Sequence, residues 1–498
     1  MFFSKKNNKL LLVIIFVTFT FLNCNRKQNS DSGQHFDGPY FGNGILNGWA
    51  DQTSIVIWTR LTERPEGNKD GEKFLIPSAE EHRQLNMEAN PEKIWNAQIP
   101  HGLSLNDMEG ACPGTSGEVK IVYYPLTQQE KKVITEWVAV SNKKNFTHQW
   151  KLENLIPGTK YIVELEARRD SNSKVSDRIE GTFRTPPTVD TIEEIDFCIV
   201  TCNEYLKRDS SGGLKIYDVM LNMFPDFYVH TGDIEYYDRP APYALTEELM
   251  RFKWDRFLAL PLHRRFWGQV TSYFMKDDHD VLMNDAFPGM TYGTVTWERG
   301  LEIFDEQFPA SKKPYKTIRW GKDLQIWLTE GRNYRSKNTD PDGPEKTIWG
   351  EEQKEWFFKT VNESDATFKI LISPNAILGP DKDNKNDNHS NPAWKTEGDE
   401  IRNFLNQFDN IFICNGDRHW QYVTHWESTN LWEFGCGAST DEHADGWNPG
   451  DVRPEHRFLR VKGGFLRGRV FRENDTSILK FQHFDVDGNV VHEEIFKQ

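Results

Sequence analysis

Phe227-Tyr228-Val229 leads, three residues on, into Gly232-Asp233-Ile234-Glu235-Tyr236. A short apolar run of this composition reads as a buried strand, and it ends in a turn carrying side chains that bind metals. The pattern recurs three times. Phe197-Cys198-Ile199-Val200 precedes Cys202, Tyr273-Phe274-Met275 precedes Asp277-Asp278-His279-Asp280, and Ile411-Phe412-Ile413 precedes Gly416-Asp417-Arg418-His419. In layered α/β folds the loops just past the strand ends carry the site. Four such loops point to a metal centre gathered from distant parts of the chain.

The residue types suit a centre of two metals, which needs one shared ligand, terminal ligands on each ion and an acidified water. Asp233 has two carboxylate oxygens and can bridge. Tyr236, three residues on, can reach the same ion; a phenolate favours ferric iron, and the thiolate of Cys202 adds to that preference. Asp278 and Asp417 suit the second metal, and His419 returns toward the first. His279 is placed to act as general acid for a leaving oxygen. Singly, each piece has a plainer reading: a Gly-Asp turn, a buried apolar cysteine, a solvated acidic loop. Four together, in this order and each at a strand end, favour the metal site.

At 498 residues the chain should hold more than one domain. A net charge of −15 argues against broad nucleic-acid binding, leaving nucleotides as possible small substrates. Lys5, Lys6 and Lys9 precede an apolar run at 10–22 and then Cys24. The run is too short to span a bilayer and suits an export signal. It resembles a bacterial lipoprotein processing site, with Asn23 departing from the usual small residue. The expected organisation is a signal at 1–24 with lipid on Cys24, then a tether at 25–35. The protein would be exported and anchored to a membrane at the periplasmic or cell-surface side. Of six cysteines, five remain beside Cys24. At least one of those is unpaired within a monomer, as a metal-binding Cys202 would be; Cys198 and Cys414 read as core.

Residues 36–187 read as all-β. The stretch from Trp150 through Pro157-Gly158 and Tyr161 to Ala167 resembles the later part of a fibronectin type III-like sandwich, with 181–187 as last strand and exit. A polar stretch at 63–117 is too long for a sandwich loop; it reads as an insertion able to lean over the neighbouring domain. From 191 to 498 strands alternate with helical segments at 214–223, 247–257, 351–361 and 400–408, and 477–495 closes as a β-hairpin turning at Asp487-Gly488.

With these motifs assembled, the chain resembles the PhoD-like alkaline phosphatase and phosphodiesterase family, within the calcineurin-like metallophosphoesterases. The resemblance rests on Cys202, on the Gly-Asp-x-x-Tyr of Asp233 and Tyr236, and on the Asp-Asp-His-acid of 277–280. It rests also on the Arg-x-Tyr-Arg of 332–335, on Gln353 with Trp356, and on the Gly-Asp-x-His of Asp417 and His419. It implies a four-layer α/β/β/α core, hydrolysis of phosphate mono- or diesters, and iron bound through cysteine and tyrosine beside calcium or another divalent ion. Lys276, Glu330-Gly331, and Trp420-Gln421 depart from the usual residues around the pocket, which leaves the substrate open. Arg332, Arg335 and Arg418 are candidates to clamp phosphate oxygens, or else to pair with carboxylates. Asn284 is a candidate ligand or substrate contact, or a turn residue. The stretch 381–387 looks superficially like a calcium loop but lacks its glycine and its twelfth-place acid, and reads as a solvated loop. Residues 440–456 either border the pocket or form surface. A monomer acting on small phosphate esters is expected. The alternatives are an enzyme like a purple acid phosphatase, which would have aspartate where Cys202 stands and a further histidine late in the core, and an inactive surface binding protein.

Overall fold

Ile195–Val200, Phe227–His230 and Thr271–Phe274 are buried at every position, as strands must be when both faces of their sheet are covered. They lie side by side and parallel, Phe227 pairing with Phe197 on one side and with Thr271 on the other. The computed structural model describes residues 38–309, 311 and 313–498; the export signal, Cys24 and the tether lie outside the described residues. Among the described residues no helix is long and apolar enough to cross a membrane.

These strands sit within a nine-stranded sheet. Its order is Val490–Lys497, Thr476–Asp485, Gly464–Glu473, Ile195–Val200, Phe227–His230, Thr271–Phe274, Ile45–Gly48, Ile55–Arg60 and Thr147–Leu152. A seven-stranded sheet runs Lys316–Trp320, Leu324–Leu328, Phe368–Ser373, Ile411–Asn415, Trp432–Cys436, Gln421–His425 and His456–Arg460. Ile199, Val229 and Tyr273 of the first sheet share one apolar core with Ile326, Ile370, Phe412 and Phe434 of the second. Within it the Phe227 ring stacks on Phe197 at 4.9 Å and on Trp320 at 4.6 Å between centroids.

Helices cover the outer face of each sheet. Cys198, Val200 and Tyr228 pack against helices Glu247–Leu258 and Pro261–Trp267. Trp327, Leu371 and Ile413 pack against Glu351–Glu363 and Lys395–Leu405. The helix expected at 214–223 contracts to Ile216–Leu221. The one expected at 400–408 begins earlier, directly after a 3-10 turn at Pro392–Trp394. All five described cysteines are unpaired and buried.

Between residues 38 and 187, strands Ile45–Gly48, Ile55–Arg60 and Thr147–Leu152 share a core with strands Gly117–Pro125, Lys160–Arg168 and Val175–Arg184. Gly48 also pairs in parallel with Ser272, so the first sheet runs unbroken from the ligand-bearing strands into this region. The all-β expectation needs correcting at the insertion, which contains helices Ala79–Glu88 and Pro91–Gln98. Ser78 and Glu81 form a reciprocal capping box, and Asn90 with Pro91 starts the second helix. The insertion does lean on its neighbour. Ile94 and Met108 join the core around Trp254, and the Gln98 amide bonds both the N–H (2.7 Å) and the carbonyl (3.0 Å) of Tyr243.

Because Phe227 bridges the two sheets, Phe227→Ala should lower unfolding stability by about 3–5 kcal/mol, the usual cost of removing a large buried ring. Denaturant titration measures it; a loss below about 1 kcal/mol would mean the sheets do not depend on this stack.

Candidate metal centre

Three of the four motif loops turn sharply just past their strands, and non-glycine residues adopt the left-handed conformation there. Cys202, Asp233 and Asp417 have φ of 52°, 56° and 62°. Such conformations cost of order 1–3 kcal/mol each and persist only where surroundings enforce them. Here the loops lock one another: Cys202 N–H donates to Gly232 O (3.2 Å) and Asn203 N–H to Asp233 O (2.8 Å). The glycine before each aspartate is a packing requirement. A Cβ on Gly232 would lie 2.6 Å from the Asp277 nitrogen, and one on Gly416 would lie 2.2 Å from Thr231 Oγ1.

The strongest organiser is Asp280. Its Oδ2 accepts from the N–H groups of Asp233 (2.7 Å) and Asp277 (2.9 Å), and its Oδ1 from those of Ile234 (2.8 Å) and Glu235 (3.2 Å). One carboxylate therefore ties the Asp233 loop to the Asp277 loop. Burial pushes its pKa up to about 7, against the pull of these four bonds.

The ligand atoms converge. Those of Cys202, Asp233 and His419 lie within 4.8 Å of one another, as do those of Asp233, Asp278 and His279, and those of Asp233, Asp277 and Asp417. Asp233 belongs to all three groups. Its Oδ2 lies 3.6 Å from Cys202 Sγ and accepts from Tyr236 OH at 3.2 Å; Tyr236 OH is 3.3 Å from His419 Nε2. The other oxygen, Asp233 Oδ1, is buried and has no hydrogen-bond partner. A buried carboxylate oxygen left without a donor is costly unless a cation takes it. Burial and the neighbouring aspartates hold the Asp233 carboxyl well above its usual range, and burial does the same to the Cys202 thiol. Thiol, phenol, carboxylate and imidazole donors around a shared aspartate fit metal binding: Cys202 and His419 group with Asp233, to whose Oδ2 Tyr236 OH bonds, while Asp278 with His279 and Asp277 with Asp417 make the other two groups.

His279 Nδ1 bonds Asp238 Oδ1 at 2.7 Å, leaving its second nitrogen free. Burial alone would depress this histidine, but Asp238, Asp278 and Asp233 raise it to about 10. His419 Nδ1 bonds Asp445 at 2.9 Å, and His443 lies with its ring 4.2 Å from that of His419. Both partners come from the 440–456 stretch, which therefore borders the site.

The arginines are placed differently from a set of free phosphate clamps. Arg332 is fully buried, bonded to Asp277 and 3.3 Å from Asp278 Oδ2. Arg418 bonds Asp417 at 2.7 Å and pairs with Asp381 and Asp387. Asp381 and Asp387 are thus buried counterions of Arg418, which corrects the solvated-loop reading at the two ends of 381–387, while Asp383, Asn384 and Asn386 between them are exposed. Arg335 bonds Asn338 (2.7 Å) and the Asp387 carbonyl, with Nη1 unpartnered. Asn284 is exposed, and its side chain bonds Asp285 at 2.7 Å, so the structure does not bring it into the cluster. Two residues of the cluster, Asp277 and Asn375, are not among the ligands that sequence reasoning selects. Asp277 is legible as the first acid of its motif. Asn375, which donates to Asp277 at 3.1 Å, carries no signal beyond its place after a strand.

The fold and these ligand groups define a strand-end site able to hold metal ions. A family model described as PhoD-like phosphatase matches residues 197–457, and the chain belongs to that family. No curated protein matches the sequence. Among solved structures, one described as the structure of PhoD is 15% identical, with 94% of this chain and 91% of that chain covered and a TM-score of 0.66. Purple acid phosphatase PPD1 from yellow lupin (Lupinus luteus) seeds is 11% identical, covering 91% of this chain and 73% of its own, with a TM-score of 0.59. These likenesses show a shared fold.

The geometry can be tested at two points. Asp280→Asn puts an amide nitrogen where two N–H groups need an acceptor, and should cost roughly 2–5 kcal/mol with loss of metal retention; unfolding and metal analysis of the purified variant check both. Because the Cys202 thiol and the Asp233 carboxyl hold their protons tightly without a cation, metal uptake must displace protons. Affinity from chelator competition should rise about tenfold or more per pH unit between roughly pH 6 and 8, and a flat profile would exclude those ligands.

Proposed function

We propose that this PhoD-like phosphatase is an exported, metal-dependent phosphomonoesterase and phosphodiesterase of the alkaline phosphatase D type, acting on small phosphate esters. The observation that carries the reading is Asp233, common to all three donor groups. A cysteine and a tyrosine on the same side of Asp233 favour ferric iron there, and the carboxylates on the other side favour calcium or another divalent ion. Bound metal ions would supply Lewis acidity toward phosphate oxygens and make a water acidic.

The chain's own groups do the rest. Arg332 and Arg418 act as positioning residues, holding Asp277, Asp278 and Asp417 in place. Arg335, with its free Nη1, is the arginine available to a phosphate oxygen. Asp238 fixes the His279 ring, so that the second nitrogen can deliver a proton to the departing alkoxide.

The lipid anchor on Cys24 and the monomeric state are part of the same proposal. So are a 36–187 domain that shares its first sheet with the ligand-bearing strands, and the four-layer α/β/β/α reading, which helices on both outer sheet faces support. For a fibronectin type III-like sandwich, the support is Tyr161 OH accepting from the Ile156 N–H at 2.8 Å, like the tyrosine corner of such sandwiches. The purple acid phosphatase reading is weaker, because Cys202 stands in place of an aspartate and Pro374-Asn375 comes after strand Phe368–Ser373 without a histidine.

The test is turnover of p-nitrophenyl phosphate and bis(p-nitrophenyl) phosphate, with metal analysis of protein from native expression. Cys202→Ala and Asp233→Asn should each lower kcat/KM by about a hundredfold or more, ligands mattering at least as much as their outer partners. His279→Ala should cost roughly 10²–10⁴ with alkyl esters and much less with nitrophenyl esters, whose leaving group needs little protonation. Equal losses on both would make His279 a metal ligand instead of the acid. Metal-free protein as active as loaded protein would end the proposal.

A further inference from the structure

Arg332, Arg335 and Arg418 are all buried, but a fourth arginine stands at the rim. Arg239 lies three residues after Tyr236 and is exposed. Its backbone is fixed: the N–H donates to Tyr236 O (3.3 Å) and the carbonyl accepts from Lys253 Nζ (3.1 Å). Its guanidinium has no hydrogen bond or ion pair with any described residue. It lies over the Tyr236 ring, 5.7 Å from the centroid. That ring is 4.2 Å from the His279 ring and 5.2 Å from that of His443. The guanidinium therefore lies beside the ligand loop, over a ring that packs against both His279 and His443.

The nearby acids do not use it up. Asp238 is engaged by His279 and by the Asn284 N–H (3.0 Å), and Asp445 by His419. Their carboxyls are held below the usual range mainly by His279 at Asp238 and by the bond from His419 at Asp445, with Arg239 adding the smallest share at each. A second cation, Lys207, also acts on Asp445 and reaches Glu204 at 3.5 Å. A fixed backbone carrying a free guanidinium is suited to grip an anion in bidentate fashion.

We propose that Arg239 forms a second anion subsite beside the metal centre, selecting phosphate esters whose alcohol portion carries a further negative charge. The assignment rests on the proposed function for its orientation. If His279 protonates the leaving oxygen, the alcohol portion lies on the side of His279, which is the side of Arg239. The anionic group is a carboxylate or a second phosphate, chemistries a guanidinium binds alike.

The experiment compares phenyl phosphate, 4-carboxyphenyl phosphate and 1,4-phenylene bisphosphate as substrates of the metal-loaded full chain. Wild type should prefer both charged esters. In Arg239→Gln the ratio of kcat/KM for each charged ester to that for phenyl phosphate should fall about tenfold, mainly through KM, as expected for one lost charge-assisted contact. Arg239→Lys should recover part of the ratio. A fall for one charged ester alone identifies the anion. Ratios unchanged by Arg239→Gln for both overturn the proposal. Calorimetry with phenylphosphonate and 4-carboxyphenylphosphonate reads the same ratio as affinity, without turnover. If no ester is hydrolysed but the phosphonate ratio still falls with Arg239→Gln, the enzyme reading fails and the subsite stands; an unchanged phosphonate ratio removes the subsite as well.

Discussion

The carboxylate of Asp280 is the constraint on which the site depends. It binds no candidate metal ligand through a side chain, yet its four backbone N–H bonds set the path of both the Asp233 and the Asp277 loops. The parallel strands bring the two loops to the same sheet edge, but a sheet edge only brings chain ends within reach. The strained turn at Asp233 needs a partner that penalises alternatives, and a buried anion satisfied by four donors does so. With the loops fixed, Asp233 is common to every group of converging thiol, imidazole and carboxylate donors.

Much of this is legible in the sequence because buried strands write themselves as uninterrupted apolar runs. Phe197 to Val200 and Ile411 to Ile413 could hardly be anything else, and their ends locate Cys202, Asp417 and His419. The two helices of the insertion escape such a reading although their start signals are plain: Ser78 with Glu81, and Asn90 with Pro91. The polar composition between them gives too little periodic apolar signal to outweigh an all-β neighbourhood. The pairing of Gly48 with Ser272 cannot be read at all. A parallel partner more than two hundred positions away leaves no local trace, so a sheet shared between the first region and the ligand-bearing strands is visible only in three dimensions.

The arginines show a different limit. Arginine near a phosphate-handling motif reads naturally as a phosphate clamp, and nothing in a linear chain distinguishes a free guanidinium from a neutralised one. Four aspartates crowded around one point need counter-charge, and Arg332 and Arg418 supply it from within the protein. Breaking either pair would leave a buried carboxylate uncompensated, so their contribution lies in keeping the ligands charged and fixed. Lys276 and Glu330 are related in the same way: they lie 3.3 Å apart and are both buried.

Specificity in such a site has to come from its rim. Apart from Asp233 Oδ1, which is left without a protein donor, the aspartates of the cluster are paired with Arg332 and Arg418 or with the donors beside them, so they do not read the rest of a substrate. Residues free to respond to the rest of a substrate are those that the inner network leaves unpaired. The overall charge of −15 repels long polyanions at a distance, whereas a single exposed guanidinium acts within a few ångströms, where salt screens it least. The two effects operate at different ranges and do not cancel. A small ester bearing one additional anionic group would meet little long-range repulsion and gain a direct contact at the proposed subsite, which would place selectivity on the loop of Tyr236 and Arg239.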